Sequence, residues 1–214
     1  MKLFIQFTLI LFLFNSTIEA RSSYNKYYSI HHLNTIERRV NAHSTVNKKA
    51  LREAFRYYKK NRYKQRLSKR YLAIADYTKV AQRKRLYIID LRNGKIYQYQ
   101  VAHGKNSGAK GGRVWRSSNR LNSHMTPYGF FKVGSREGIT GRKRYKYLPI
   151  RGLQRSNKKV GLPSRFGGRD VIVHTASYVN SGGRSYGCFA IRPQDKKVVF
   201  KRLKTALLYS YTGR

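Results

Sequence analysis

The sequence predicts a mainly β domain that carries a few short helices. Three observations support this class. Apolar and polar residues alternate over several short segments, which is the period of strands. The dipeptide Asn93-Gly94 lies between two such segments and is a strong signal for a β-hairpin. The regular succession of strands and helices that marks a doubly wound parallel sheet is absent.

The length and composition indicate one domain with a real core and a very basic surface. The chain has 214 residues, 40% of them hydrophobic, and it contains 18 tyrosines. Lysine and arginine number 47 against 8 aspartates and glutamates, which gives a formal net charge of +39. Such a surface attracts polyanions, but its charge carries little information about the fold.

The first 20 residues have the features of a secretory signal peptide. Lys2 supplies a positive charge, Leu3 to Phe14 form a mostly apolar run, and Ala20 is a small residue suited to cleavage. The run is too short for an ordinary membrane span. We expect export to the periplasm, the cell wall or the medium, and a mature chain without a transmembrane segment. A retained N-terminal anchor is the alternative.

The remainder divides into a leader and one domain. Residues 21–46 are polar and basic without clear periodicity, so we interpret them as a flexible leader, and we place the folded domain at residues 47–214. The leader contains His31, His32 and His43. A metal site would need more ligands and some carboxylates, so solvated histidines are expected.

The domain begins with a helix from Asn47 to Tyr63, for which Asn47 is a suitable N-cap. A second helix is expected from Asp195 to Lys204, because apolar residues recur there at helical spacing. The expected strands, in chain order, are Tyr71 to Asp76, Arg85 to Leu91, Lys95 to Ala102, Tyr128 to Val133, Lys146 to Ile150, Val171 to Val173, Phe189 to Ile191, and Ala206 to Tyr211.

Two reactive side chains follow from this order of elements. The strand Val171 to Val173 ends at His174, and a loop rich in Gly and Ser leads through Gly187 to Cys188. Cys188 is the only cysteine. A thiol, a base and free backbone amides together make a nucleophilic site. A buried inert cysteine and an intermolecular disulfide are the alternatives.

Four segments resemble the murein L,D-transpeptidase catalytic domain family. They are the sequence VAHGKNSG at residues 101–108, TPYGF at residues 126–130, His174, and GRSYGC at residues 183–188. The resemblance covers the chain from about Asn47 to Tyr211. It implies a β-sandwich of mixed sheets.

The same resemblance implies a reaction. Cys188 would attack a tetrapeptide stem of peptidoglycan, with His174 as base, and release the terminal D-alanine. Ser185, Tyr186 and Gly187 match the turn that supports the cysteine and its oxyanion hole. An amine of a second stem would then resolve the acyl-enzyme to form a cross-link. No metal or organic cofactor is required.

The sequence also departs from the better-known members of the family. Tyr186 stands where they have histidine, and Ala190 stands where they have an arginine. Arg192 is the nearest substitute for that arginine. The candidates for substrate binding are of two types. The cations Arg184, Arg192 and Lys105 could hold stem carboxylates, and His103 belongs to the VAHG segment.

Two other functions stay open at this point. With water as acceptor, the same site would be an L,D-carboxypeptidase. A catalytically inactive protein that binds the cell wall or other anionic envelope polymers would have the same charge. Nucleic acid is not an expected partner, because the chain has an export signal and lacks an aromatic RNA-binding signature.

Overall fold

The computed structural model describes residues 28–140 and 145–213. The predicted signal peptide lies outside these residues. The described part has three α-helices, α1 (Ile30–His43), α2 (Lys48–Asn61) and α3 (Lys196–Leu203). Its strands are β1 (Tyr71–Asp76), β2 (Leu86–Asp90), β3 (Ile96–Tyr99), β4 (Gly129–Val133), β5 (Gly138–Ile139), β6 (Lys146–Gly152), β7 (Ile172–Thr175), β8 (Phe189–Ile191) and β9 (Leu207–Tyr211).

The strands form one mixed sheet in the order β3-β2-β1-β9-β4-β6-β7-β8, with β5 paired to β6. The pairs β1–β9 and β7–β8 are parallel, and the others are antiparallel. A bridge between Val101 and Ile191 connects the β3 side of the sheet to β8, so the sheet is nearly closed. The predicted mainly β class with mixed strand pairing is therefore confirmed.

Side chains on the two faces of the sheet enter two different cores. Along β1, Ala73 and Ala75 point into the curled sheet, whereas Leu72 and Ile74 point outward towards α1 and α2. All four are fully buried. Because both faces of this strand are covered, its sequence is continuously apolar instead of alternating.

Helix α1 corrects one interpretation of the sequence. The flexible leader assigned to residues 21–46 is wrong from Tyr28 onwards, because this stretch folds as a capped, packed helix. The Ser29 side chain accepts a hydrogen bond from the His32 amide at 3.1 Å. Leu33, Ile36 and Val40 are buried against α2 and the sheet. Their spacing of three and four residues is the physical reason for the helix.

The histidines of this segment differ in their surroundings. His31 and His43 are exposed, as expected for solvated side chains. His32 is half-buried, and its Nε2 lies 2.9 Å from the carbonyl oxygen of Leu91. Within residues 28–140 and 145–213, no cluster of three potential metal ligands is found. No helix in those two ranges has the length and apolarity that crossing a bilayer demands.

Candidate active site

The parallel pair β7–β8 brings His174 and Cys188 to neighbouring strands. His174 lies opposite Ala190, and Val173 lies opposite Phe189. Cys188 comes two residues before Ala190, so an extended chain directs both side chains to the same face as His174. The predicted thiol and the predicted base therefore share one face at one edge of the curled sheet.

A turn braced by Ser185 presents the thiol. Ser185 is buried, and its Oγ accepts a hydrogen bond from the Gly187 amide at 3.0 Å. The same hydroxyl donates to the Cys188 carbonyl at 2.8 Å. One side chain thus fixes both ends of the turn, which is the supporting position expected for Ser185.

Gly187 is required for two separate reasons. Its φ of +113° lies in a region that side chains disfavour. A Cβ at this position would also collide with the Arg169 guanidinium and would come within 2.7 Å of the Met125 carbonyl oxygen. Any larger residue would displace the turn from the neighbouring loop.

The thiol of Cys188 is half-buried and lies 3.7 Å from the carbonyl oxygen of Asp170. Burial raises its pKa above the ordinary thiol value, although the Ile172 amide and the charge of Arg169 act in the opposite direction. This differs from the low thiol pKa that the pairing with a cationic histidine would produce. The balance of the contacts favours the neutral thiol at neutral pH.

His174 is also held in its neutral form. Burial lowers its pKa below the ordinary histidine value. Its Nδ1 lies 3.0 Å from the Thr175 carbonyl oxygen, so Nδ1 carries the proton and Nε2 is left as the basic atom. A backbone carbonyl thus supplies the third, orienting group, as proton transfer from a thiol requires.

Arg169 is the functional candidate that sequence reasoning missed. It lies in a Gly- and Lys/Arg-rich loop before β7, yet its side chain is buried and interacts electrostatically with Cys188. Its guanidinium donates to the carbonyls of Ser118, at 2.5 Å, and Met125. Burial lowers its pKa to about 10, which still leaves it cationic at neutral pH. The signal available in the sequence was its position two residues before the predicted strand, Val171 to Val173, that delivers His174.

The VAHG segment forms one wall of the site. The Ser185 amide donates to the His103 carbonyl at 2.8 Å, and the Lys105 amide donates to the Ser185 carbonyl at 2.7 Å. These two hydrogen bonds connect the segment to the cysteine turn like an added strand. The motifs that are distant in sequence are therefore adjacent in space.

His103 does not belong to the substrate-binding surface, contrary to the sequence-based assignment. Its side chain is fully buried, and its Nδ1 lies 2.9 Å from Nη2 of the buried Arg85. Burial and the charge of Arg85 lower its pKa to about 4. A neutral, enclosed ring of this kind orders the strand end and cannot touch a substrate.

The cations Lys105 and Arg184 lie beside the turn. The Lys105 ammonium stands 4.4 Å from the centre of the exposed Tyr186 ring, which His124 contacts edge-on. Arg184 is exposed and donates to the carbonyls of Lys105 and Gly108 at 3.1 and 3.3 Å. Both cations lie next to the cysteine turn, where a substrate carboxylate can reach them.

Arg192 lies elsewhere. It follows the far end of β8, and its guanidinium pairs with Asp195 at 2.8 and 3.3 Å. The four residues from Cys188 to Arg192 span about 13 Å of extended chain. Arg192 is therefore not brought to the thiol, and Arg169 is the buried cation beside Cys188.

Two tyrosines complete the surroundings of the pair. The Tyr145 ring centre is 5.7 Å from that of His174. Tyr178 follows β7, and burial together with the nearby thiol raises its pKa to about 12. Both phenols stay protonated and neutral. The arrangement as a whole offers a neutral thiol, a neutral imidazole and a fixed cation, which is a set suited to acyl transfer.

Comparison with known proteins identifies the class to which this site belongs. The L,D-transpeptidase catalytic domain family matches residues 42–211. The match covers most of the chain, so the chain belongs to this family, and the resemblance read from the sequence motifs is confirmed.

Among solved structures, the chain is similar to an L,D-transpeptidase from Xylanimonas cellulosilytica. The sequence identity is 15% and the TM-score is 0.38, and the match covers 66% of this chain and 60% of that chain. The present chain thus spans less than two thirds of the length of that structure. None of the curated proteins matches.

Proposed function

We propose that the protein is a cysteine acyltransferase that acts on the stem peptides of peptidoglycan. The observation that carries the proposal is the register of β7 and β8, which sets Cys188 and His174 on one face in a chain of the L,D-transpeptidase family. The family supplies the substrate class, and the two side chains supply the chemistry.

The reaction begins from the neutral pair. Nε2 of His174 takes the thiol proton as Sγ of Cys188 attacks the stem carbonyl that precedes the terminal D-alanine. A carbon–sulfur bond forms, the carbon–nitrogen bond to D-alanine breaks, and His174 returns the proton to the leaving amine. An amine of a second stem then attacks the thioester and forms a new carbon–nitrogen bond as the carbon–sulfur bond breaks. His174 passes the proton of the amine to the sulfur, which regenerates the thiol.

Backbone amides of the turn stabilise the developing oxyanion. The Gly187 amide already donates to Ser185, so we assign this role to the amides of Tyr186 and Cys188. Arg169 contributes a fixed positive charge beside the sulfur, which Ala190 cannot supply. Lys105 and Arg184 are proposed to hold stem carboxylates at the rim.

The acceptor distinguishes two activities of one site. If water attacks the thioester, the protein is an L,D-carboxypeptidase. The half-buried thiol and the exposed Tyr186 at its edge favour an acceptor that displaces water, so transpeptidation is the first proposal. An inactive wall-binding protein is the alternative in which the thiol has no role.

The test uses purified wall fragments that carry tetrapeptide stems. Cys188→Ala and His174→Ala are each expected to abolish D-alanine release, because groups that act as a unit are not additive. The wild type should also gain one drug mass with a carbapenem, and Cys188→Ala should not. Release of D-alanine by Cys188→Ala would refute the site, and a wild type inactive in both assays would favour the binding protein.

We further propose that the protein is exported and acts in the cell envelope. The mature chain should begin near Arg21, because Ala20 ends the predicted signal peptide. N-terminal sequencing of exported protein checks this. An intact Met1 in that material would show that the segment is retained.

A further inference from the structure

A cavity of about 420 Å³ lies between α2 and the adjoining ends of β4 and β9. Its volume is in the range of small-ligand pockets. It contains neither Cys188 nor His174, and the reaction proposed above makes no use of it.

Aromatic rings dominate the wall of this cavity. Tyr57 stacks on Phe130 with ring centres 4.1 Å apart, and Phe130 stacks on Tyr209 at 4.3 Å. Glu53 accepts a hydrogen bond from the Tyr209 hydroxyl. Such a stack gives an apolar wall made of ring edges, with hydroxyl and carboxylate groups beside it.

The rim of the cavity carries polar groups of several kinds. Arg56 and Lys60 lie one turn apart on α2, and both are exposed and make no hydrogen bond or ion pair with the described residues. Asn61 and Gln154 add amides. An apolar floor with amide, hydroxyl and carboxylate groups around it matches a hexosamine ring, whose faces are apolar and whose edge carries hydroxyl and acetamido groups.

The cavity and the thiol lie at the same end of the sheet. β4 and β6 are antiparallel, as are β6 and β7, so β4 runs in the same direction as β7 and β8. Gly129, the first residue of β4, lines the cavity, and Cys188 directly precedes β8. The Met125 carbonyl oxygen lies against Gly187 of the cysteine turn. Met125 is four residues before Gly129, so at most roughly 14 Å of chain separates the turn from the cavity.

One loop connects the two places. The Ser118 carbonyl accepts from Arg169 beside the thiol. Its neighbour Asn119 exchanges two hydrogen bonds, at 3.1 and 3.2 Å, with the backbone of Tyr128, which lines the cavity. The stem of peptidoglycan hangs from an amino sugar, and three to four extended residues span roughly 10–14 Å. A stem whose carbonyl is at Cys188 can therefore carry its sugar to the cavity.

We propose that this cavity binds an N-acetylated amino sugar of the glycan strand that bears the stem. This inference rests on the proposed function for the identity of the polymer. Tyr57 and Phe130 contact the sugar ring, and Arg56 and Lys60 face the carboxylates of the adjoining stem.

The first experiment uses a neutral sugar, so that the charge of the protein plays no part. Cys188→Ala protein is titrated with an N-acetylglucosamine tetramer in about 0.5 M salt, where charges beyond a few ångströms are screened. Binding is expected in that background, and adding Tyr57→Ala should weaken it about tenfold. Tyr63→Ala, which removes a ring outside the cavity, should leave it unchanged.

A second variant protects the test against misfolding. Thr212 lies at the edge of the cavity, and Thr212→Trp fills it while leaving the stacked aromatic rings in place. It should weaken tetramer binding as strongly as Tyr57→Ala. The proposal would be overturned if Cys188→Ala protein failed to bind the tetramer. It would also be overturned if neither Tyr57→Ala nor Thr212→Trp weakened the binding.

Kinetics separates this inference from the function on which it rests. Tyr57→Ala in the active protein should raise KM for a disaccharide-linked tetrapeptide and leave D-alanine release from the free tetrapeptide unchanged. Equal KM values for the two substrates in the wild type would refute the sugar site but leave the proposed enzymatic activity supported. Tetramer binding without D-alanine release from either substrate would refute the proposed enzymatic activity but leave the sugar site supported.

Discussion

Cys188 and Arg169 show what residue-level contacts add to a motif. The GRSYGC segment predicts a thiol on a turn, and β7 predicts a histidine at a strand end. Neither pattern contains the contact of Arg169 with this turn, because the guanidinium reaches it from a loop without periodicity. Arg192 was the nearer candidate in sequence, but Asp195, three residues later, pairs with it locally.

The directions of the two pKa shifts make a prediction about the resting thiol. The pKa of Cys188 is raised by burial and that of His174 is lowered by burial. The thiol should therefore remain protonated at neutral pH, and thiolate absorbance, measured against Cys188→Ala, should appear only above the usual range of a free thiol. A thiolate signal at neutral pH would instead indicate a preformed ion pair.

The acid side of the same titration tests His174. The acylation rate should decrease only below the ordinary histidine pKa, since the His174 ring must lose its proton to act as base.

Arg169→Gln should move the ionisation of the Cys188 thiol to higher pH, because it removes the cation that opposes the effect of burial. Arg169→Lys keeps the charge and should move it less. An unchanged midpoint in Arg169→Gln would leave this arginine with a purely structural role.

At the scale of elements, strands were easier to predict than the first helix. β1 was predicted with its observed bounds, and the hairpin around Asn93-Gly94 joins β2 and β3. β5 has two residues and leaves no periodic signal. The apolar positions of α1 lie among histidines, asparagines and arginines, so charge masked their helical spacing. The covering of the outer sheet face by this helix depends on contacts distant in sequence.

Helix α1 should be part of the stable domain. Leu33→Ala should lower the free energy of unfolding by about 2–5 kcal/mol, as expected for a large side chain removed from a packed core. Arg38→Ala, on the exposed face of the same helix, is the matched control and should change it little. Urea denaturation measures both. Equal urea midpoints for wild type and Leu33→Ala would show that α1 does not contribute to the stability of the domain, as expected of a flexible leader.

For the whole molecule, the charge of +39 is the dominant property. The described ion pairs engage few of the 47 cations, for example Lys59 with Glu37 and Lys204 with Glu137. The surplus charge is available to anionic polymers of the cell envelope, which we propose as partners besides the stem peptides.

Binding of the whole protein to isolated sacculi should therefore depend on salt. Raising the ionic strength shortens the Debye length from about 30 Å at 0.01 M to about 3 Å at 1 M. The fraction bound by Cys188→Ala, measured by sedimentation, should fall steeply across that range. Binding that is insensitive to salt would mean that short-range contacts supply most of the affinity.

The parallel pairing of β1 with β9 also determines when the domain can form. These strands are adjacent in the sheet, but they are the first and the last strand in chain order, more than 100 residues apart. Closing so long a loop is entropically costly and slow. The sheet cannot be completed until Tyr211 has left the ribosome. This delay would keep the nascent chain unfolded during the export that we propose.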